Sequence, residues 1–106
     1  MDVLITTTAE VPGKHIQKIL GVVRGNTVRS RHIGRDIMAG FKNIVGGEIK
    51  SYTDLLTQAR EEAYNRMVNQ AVELGADAVV NVRFMTSLVM QGTSEILAYG
   101  TAVKLR

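Results

Sequence analysis

Four arginines and a histidine crowd one short stretch: Arg24, Arg29, Arg31, His32 and Arg35, with Asp36 the only acid among them. Arg31 and Arg35 stand at i, i+4, and the segment enters a helical pattern whose first amides favour anions. A guanidinium group pairs with phosphate or carboxylate oxygens through a planar fork. Arg29, Arg31, His32 and Arg35 are therefore a candidate site for a small anionic ligand. The competing reading is a solvated segment whose arginines pair with Glu48, Asp54 or Glu61 of a neighbouring copy; no glycine-rich phosphate loop accompanies the cluster. A second candidate is Asn81 with Arg83, alternate residues of one strand among apolar neighbours. That couple would line a pocket at a subunit junction or form an interfacial hydrogen-bond pair.

Other chemistries find less support. The chain has no cysteine and only His15 and His32, which lack the spacing of a metal-ligand pair. Glu61 and Glu62 are adjacent and point to different helix faces, so they cannot act together, and no nucleophile is spaced to meet a base. Gly46-Gly47 lacks the spacing of a dinucleotide fingerprint and falls where a helix is expected to end. No catalytic residue, metal site or cofactor is indicated. Three tyrosines and two phenylalanines are too few, and too much on core rows, for a base-stacking platform.

The elements that must position these residues follow from periodicity. Val3–Thr8 is a β-branched strand pattern that stops at Val11-Pro12-Gly13. Ile16–Val28 reads as a strand with both faces partly covered, and Gly21 and Gly25 suggest a bulge or the close approach of another backbone. Ile33, Ile37, Phe41 and Ile44 or Val45 recur at helical spacing up to Gly46-Gly47. A longer helix follows, opened by Ser51–Asp54 as a capping box. Its stripe is Tyr52, Leu56, Ala59, Ala63, Met67, Ala71 and Leu74, with Glu62 and Arg66 placed for an ion pair and Gly75 as its end. Two period-2 runs around Gln91–Ser94 form an antiparallel hairpin. The rows with the larger apolar groups, Val80, Val82, Phe84 and Leu97, Tyr99, Val103, are expected under the long helix. The sum is one domain over residues 1–106: a two-layer α+β fold, an antiparallel sheet with helices on one face, in the order β-β-α-α-β-β.

Thirteen Lys and Arg against ten Asp and Glu give a net charge of +3, too mild for a dedicated nucleic-acid binder. No apolar run approaches the roughly 20 residues of a membrane span, and neither a secretory signal nor a cysteine is present, which suits the cytoplasm. Strands of this length overrun a compact body of about 13 Å radius of gyration. A sheet covered on one face would leave Val79, Met85, Val89, Ile96 and Ala98 bare. These features predict a closed homo-oligomer; the alternative is a monomer whose first strands fold over that face.

Several motifs in order carry a family resemblance over the whole chain: Asn43–Ile49 with its Val-Gly-Gly, then Tyr52-Thr53, Leu55-Leu56 and Ala59-Arg60, then Leu74–Phe84, and finally Ala98–Val103. Together they resemble the YbjQ-like family of small bacterial and archaeal proteins of unknown function. The resemblance implies a dodecin-like α+β subunit assembled into a ring, a pentamer. The family label of heavy-metal binding is implied too, and the missing cysteines and two separated histidines argue against it. The expectation is a ring-forming, non-enzymatic cytoplasmic protein that binds a small anionic ligand or a protein partner. The alternatives are an enzyme with its active site at subunit junctions, or a metal-binding protein.

Overall fold

The computed structural model describes residues 2–30, 44–45 and 48–106. Its elements are β1 (Leu4–Ile5), β2 (Ile16–Ser30), β3 (Ile44–Val45), β4 (Glu48–Ile49), α1 (Lys50–Glu73), β5 (Ala78–Met90) and β6 (Thr93–Leu105). Four strands form one sheet in the order β1-β5-β6-β2, while β3 and β4 pair as a separate two-stranded ribbon. The fold is small α+β, as expected, but the sheet is mixed: β1 runs parallel to β5, whereas β5–β6 and β6–β2 are antiparallel. The parallel pairing follows from connectivity, because β1 reaches the outer edge of β5 after a long excursion through β2 rather than by a hairpin. Ile44 and Val45, expected to end a helix, pair with Ile49 and Glu48 as strand residues. The remainder of that expected helix lies outside the described residues.

Helix α1 buries a stripe of small residues. Ala59, Ala63, Met67 and Ala71 are fully inaccessible, while Leu56 and Leu74 at its ends stay partly exposed. It ends at Gly75, whose φ of 74° is the left-handed cap. The Gly75 amide donates to the Val72 carbonyl at 3.0 Å and the Ala76 amide to Ala71 at 3.0 Å, the bond pattern of a Schellman motif. The helix begins at Lys50, one residue ahead of the expected cap, within the usual wander of helix ends.

The rows beneath the helix are the reverse of those expected on β6 and at the start of β5, whereas Val82 lies under α1 as expected. Val79, Ile96, Ala98 and Ala102 lie under α1 with Val23 and Val82, so Val79, Ile96 and Ala98 are not on a bare face. Ala78, Val80 and Val103 face the other way and are covered by Val11, from the chain's own segment between β1 and β2. Residue size explains the reversal. Small side chains let the helix backbone sit close over β2 and β6, which larger rows would forbid. At Gly25 an added Cβ would lie 2.5 Å from the Met67 amide nitrogen and 2.6 Å from Arg66 Cβ. In addition, a bulge between Val80 and Arg83, with Asn81 at φ 54°, resets the alternation of β5 so that Val82 returns to the helix side.

The body is long: 53 × 27 × 22 Å with a radius of gyration of 17.0 Å, against about 13 Å for a compact chain of this size. The length comes from the three long strands β2, β5 and β6 of 13 to 15 residues, which at about 3.3 Å per residue outrun a compact body.

Candidate functional site

Residue by residue, the structure divides the sequence candidates. Arg29 sits near the end of β2, where its Nη2 donates to Glu62 Oε2 at 2.6 Å and its Nη1 to the Val28 carbonyl at 3.2 Å. That bond, against a smaller opposing cost of burial, holds the Glu62 carboxyl below its ordinary range. Arg29 is thus neutralised within its own chain rather than by a neighbouring copy. Arg66, expected to pair with Glu62, instead donates to the Asn26 carbonyl on β2. Arg31, His32 and Arg35 lie outside the described residues, so the four-residue cluster is not assembled here.

Asn81 and Arg83 both hold the Thr6–Thr8 segment. The Asn81 amide donates to the Thr8 carbonyl at 2.9 Å, and Arg83 Nη1 donates to the carbonyls of Thr7 at 2.9 Å and Val82 at 2.8 Å. The bulge that places Asn81 in the left-handed region ends the simple alternation that had put the two residues on one face. Their shared role is to pin the N-terminal segment to β5.

Two features emerge that residue spacing did not reveal, because both depend on strand pairing. The first is the outer edge of β5. β1 and the following segment cover it only as far as Val82, whose amide donates to the Thr6 carbonyl at 3.0 Å. Beyond that point Phe84, Met85, Leu88, Val89 and Met90 are each about half or more exposed, Leu88 at 73%. The second is a row across the sheet. Tyr99 of β6 pairs with Arg24 of β2 on one side and with Arg83 of β5 on the other. Arg24 stood in the basic cluster at the sequence level, but only the register shows Arg83 to be its counterpart.

Asp77 closes the opposite end. Its Oδ2 accepts from the Leu105 amide at 2.8 Å and its Oδ1 lies 3.6 Å from Lys104 Nζ. The backbone bond, with Lys104 adding a smaller effect, lowers the Asp77 carboxyl from its ordinary value. Beside it the turn Val11–Lys14, closed by a 3.0 Å bond from the Lys14 amide to the Val11 carbonyl, borders a shallow depression containing Glu10, Lys14 and His15.

Among the described residues no three His, Asp or Glu side chains converge as metal ligands. The depression lined by Glu10, Lys14 and His15 offers one imidazole and one carboxylate, a donor set that does not fit a heavy metal, which favours thiolate or clustered imidazole. Among those residues, too, no helix is long and apolar enough to cross a membrane.

Comparison with known proteins agrees over nearly the full length. The YbjQ family model, described as "Putative heavy-metal-binding", matches residues 3–106. A UPF0145 protein of Archaeoglobus fulgidus is 63% identical over 105 residues, covering 99% of this chain and 97% of that protein. A UPF0145 protein of Photobacterium profundum is 64% identical over 102 residues, covering 96% and 99%. The fold is shared with a crystal structure of a protein of unknown function from the DUF74 family of Pediococcus pentosaceus, at a TM-score of 0.64, 18% identity and 98% coverage of both chains. The chain belongs to the YbjQ (UPF0145) family of uncharacterised proteins.

Proposed function

We propose that this chain is the repeating subunit of a closed homo-oligomeric ring, a pentamer as the resemblance implies, acting non-enzymatically in the cytoplasm to hold a small anionic ligand or a protein partner. One observation supports the assembly above the rest: the far half of β5 is an apolar strand edge that nothing among the described residues covers. Alternation turns the backbone groups of Phe84, Thr86 and Leu88 outward there, since Val82 two residues earlier already bonds outward to Thr6. A free edge of this kind templates pairing with any available strand. Natural edges carry lysine, proline or a covering loop as protection, whereas Phe84–Met90 contains no charged residue and no proline. Pairing with another copy satisfies the backbone groups and dries the side chains in one step. The bare sheet face predicted by alternation is not the reason, because α1 and Val11 cover that region; the reason is the strand end beyond them.

Light scattering or native mass spectrometry at micromolar concentration tests the reading. The expected mass is five times 11.6 kDa, and Leu88→Lys is expected to dissociate the assembly while leaving the helical circular dichroism in place. A wild-type chain running at 11.6 kDa overturns the ring, and a species of twice that mass replaces it with a two-fold dimer.

A further inference from the structure

We infer that β3 of one copy, Ile44–Val45, adds to the free half of β5 in the next copy, beside Leu88, and that this contact closes the assembly. The inference rests on the ring reading of the proposed function and names the strand which that reading requires. Past Val82, β5 has no strand beside it among the described residues. β3 and β4 pair only with each other there, two residues against two. A free-standing two-stranded hairpin is marginal in water even at full length, and a third strand is what such a ribbon lacks. One chain thus carries an unfinished edge and an unfinished ribbon.

The other described strands are committed elsewhere. β1 is seated on the first residues of β5, and β6 lies between β5 and β2. On the outer edge of β2 the Arg24 amide donates to Gln70 and the Asn26 carbonyl accepts from Arg66. Within the ribbon, composition favours β3. Ile44 and Val45 are both β-branched and uncharged, suited to a pleated surface beside Phe84–Met90, whereas β4 contains Glu48.

Levels along the body agree. Thr27 of β2 bonds to Ala59 of α1 and shares a row of the sheet with Ile96 and Thr86. Gly25 lies against Met67, so the helix start points toward the end where β5 turns into β6. From Ala59 back to Lys50 the helix extends about 13 Å, and from Thr86 on to Met90 β5 extends about 13 Å. The ribbon runs into α1 at Lys50, level with the end of β5. Within one chain the two do not pair, because α1 lies over β2 and β6 and the free edge is on the far side of β5. A neighbour rotated about an axis parallel to the strands keeps that level and brings its ribbon to the edge. Each copy then gives one strand and receives one, a head-to-tail contact of the kind that closes into a ring; β5 against β5 is two-fold and stops at two copies.

The chain has no cysteine, so an introduced pair reports without background. The full-length Val45→Cys, Leu88→Cys double variant is oxidised in its assembled state and separated under denaturing conditions, with native mass spectrometry and circular dichroism recording assembly and helix beforehand. A covalent ladder in multiples of 11.6 kDa is expected, absent from either single variant, because a disulfide forms only where Cβ atoms come within about 4.5 Å. Ile44→Cys with Leu88→Cys is the second probe, since successive strand residues face opposite sides; a ladder through either ribbon position supports the contact. The control on β2, Val22→Cys with Leu88→Cys, should remain single chains. A ring-sized assembly that links through Val22→Cys, within one chain, or through neither ribbon position overturns the ribbon contact and leaves the ring in place. Leu88→Cys alone linking in pairs, or a wild-type chain at 11.6 kDa, overturns both.

Discussion

The two long edges of the sheet are treated oppositely. Along β2, α1 supplies partners for two outward backbone groups near the middle: the Arg24 amide donates to Gln70 Oε1 at 2.9 Å, and the Asn26 carbonyl accepts from Arg66. The adjoining face is closed as well, with buried Thr27 donating from Oγ1 to the Ala59 carbonyl at 3.1 Å. Along β5 the only protection among the described residues is the short β1 and the segment after it, and it stops at Val82. The difference originates in residue size. Gly25 and the alanines of α1 draw the helix over β2 and β6, and a helix placed there cannot also cover β5. One element therefore serves as both lid and edge guard on one side, and the opposite edge stays unpaired among the described residues.

The most severe way to break this contrast is to push the helix away. Gly25→Ala places a methyl group inside contact distance of the Ala63 carbonyl oxygen and the Met67 amide, both backbone groups that cannot swing aside. Overpacking of this kind costs about 3 kcal/mol, and the melting temperature should fall by more than about 10 °C. An unchanged melting curve would mean that the helix is not seated on Gly25. Next in size are Gln70→Ala and Arg66→Ala, each leaving one β2 edge group to water at about 1 kcal/mol. They should lower the denaturation midpoint and make β2 a second template for pairing, visible as heterogeneous higher masses. Smaller still for the isolated fold is Leu88→Ala. At 73% exposure it should move subunit stability by less than about 0.5 kcal/mol, yet shift the dilution midpoint of the assembly. Equal effects on both would place Leu88 inside the subunit core.

Much of this architecture was legible in the residues, and the exceptions have physical causes. The lean alanine stripe of α1, Gly75 at its end, the final hairpin and the close approach at Gly25 all follow from local pattern, because each is decided by neighbours in sequence. The start of β5 and the whole of β6 were misread because alternation does not say which face a helix will cover; the bulge at Asn81 then brings Val82 under α1, as expected, and an asparagine at positive φ leaves little trace beyond its own tolerance for that conformation. The size argument also ran the wrong way: larger rows were placed under the helix, whereas small ones permit it to approach. For the candidate site, Arg29 was recognisable as basic but its Glu62 partner was not, since 33 residues separate them. The Arg24–Tyr99–Arg83 row was invisible for the same reason, as pairing register is a property of three strands and not of any one.

The finest test separates the two edges by pH. Glu62 and Asp77 are both held below their ordinary values of 4.5 and 3.8 in the folded chain, by the Arg29 bond and the Leu105 amide respectively. The unfolded chain therefore takes up protons at higher pH than the folded one, so their stabilisation is complete above those values. It fades as pH falls through the lower, folded ones. Asp77→Asn should be less stable than wild type at pH 7, and the gap should close as pH drops below 3.8, measured by urea midpoints across the range. Glu62→Gln should behave likewise below 4.5. The free edge carries no such groups: Phe84–Met90 holds no titratable side chain, and the nearest acid across the hairpin, Glu95, pairs with Ser87 in register. Assembly mass should accordingly stay constant from pH 7 to 4.5. A mass that falls within that interval would show that ion pairs, rather than an apolar strand edge, join the copies.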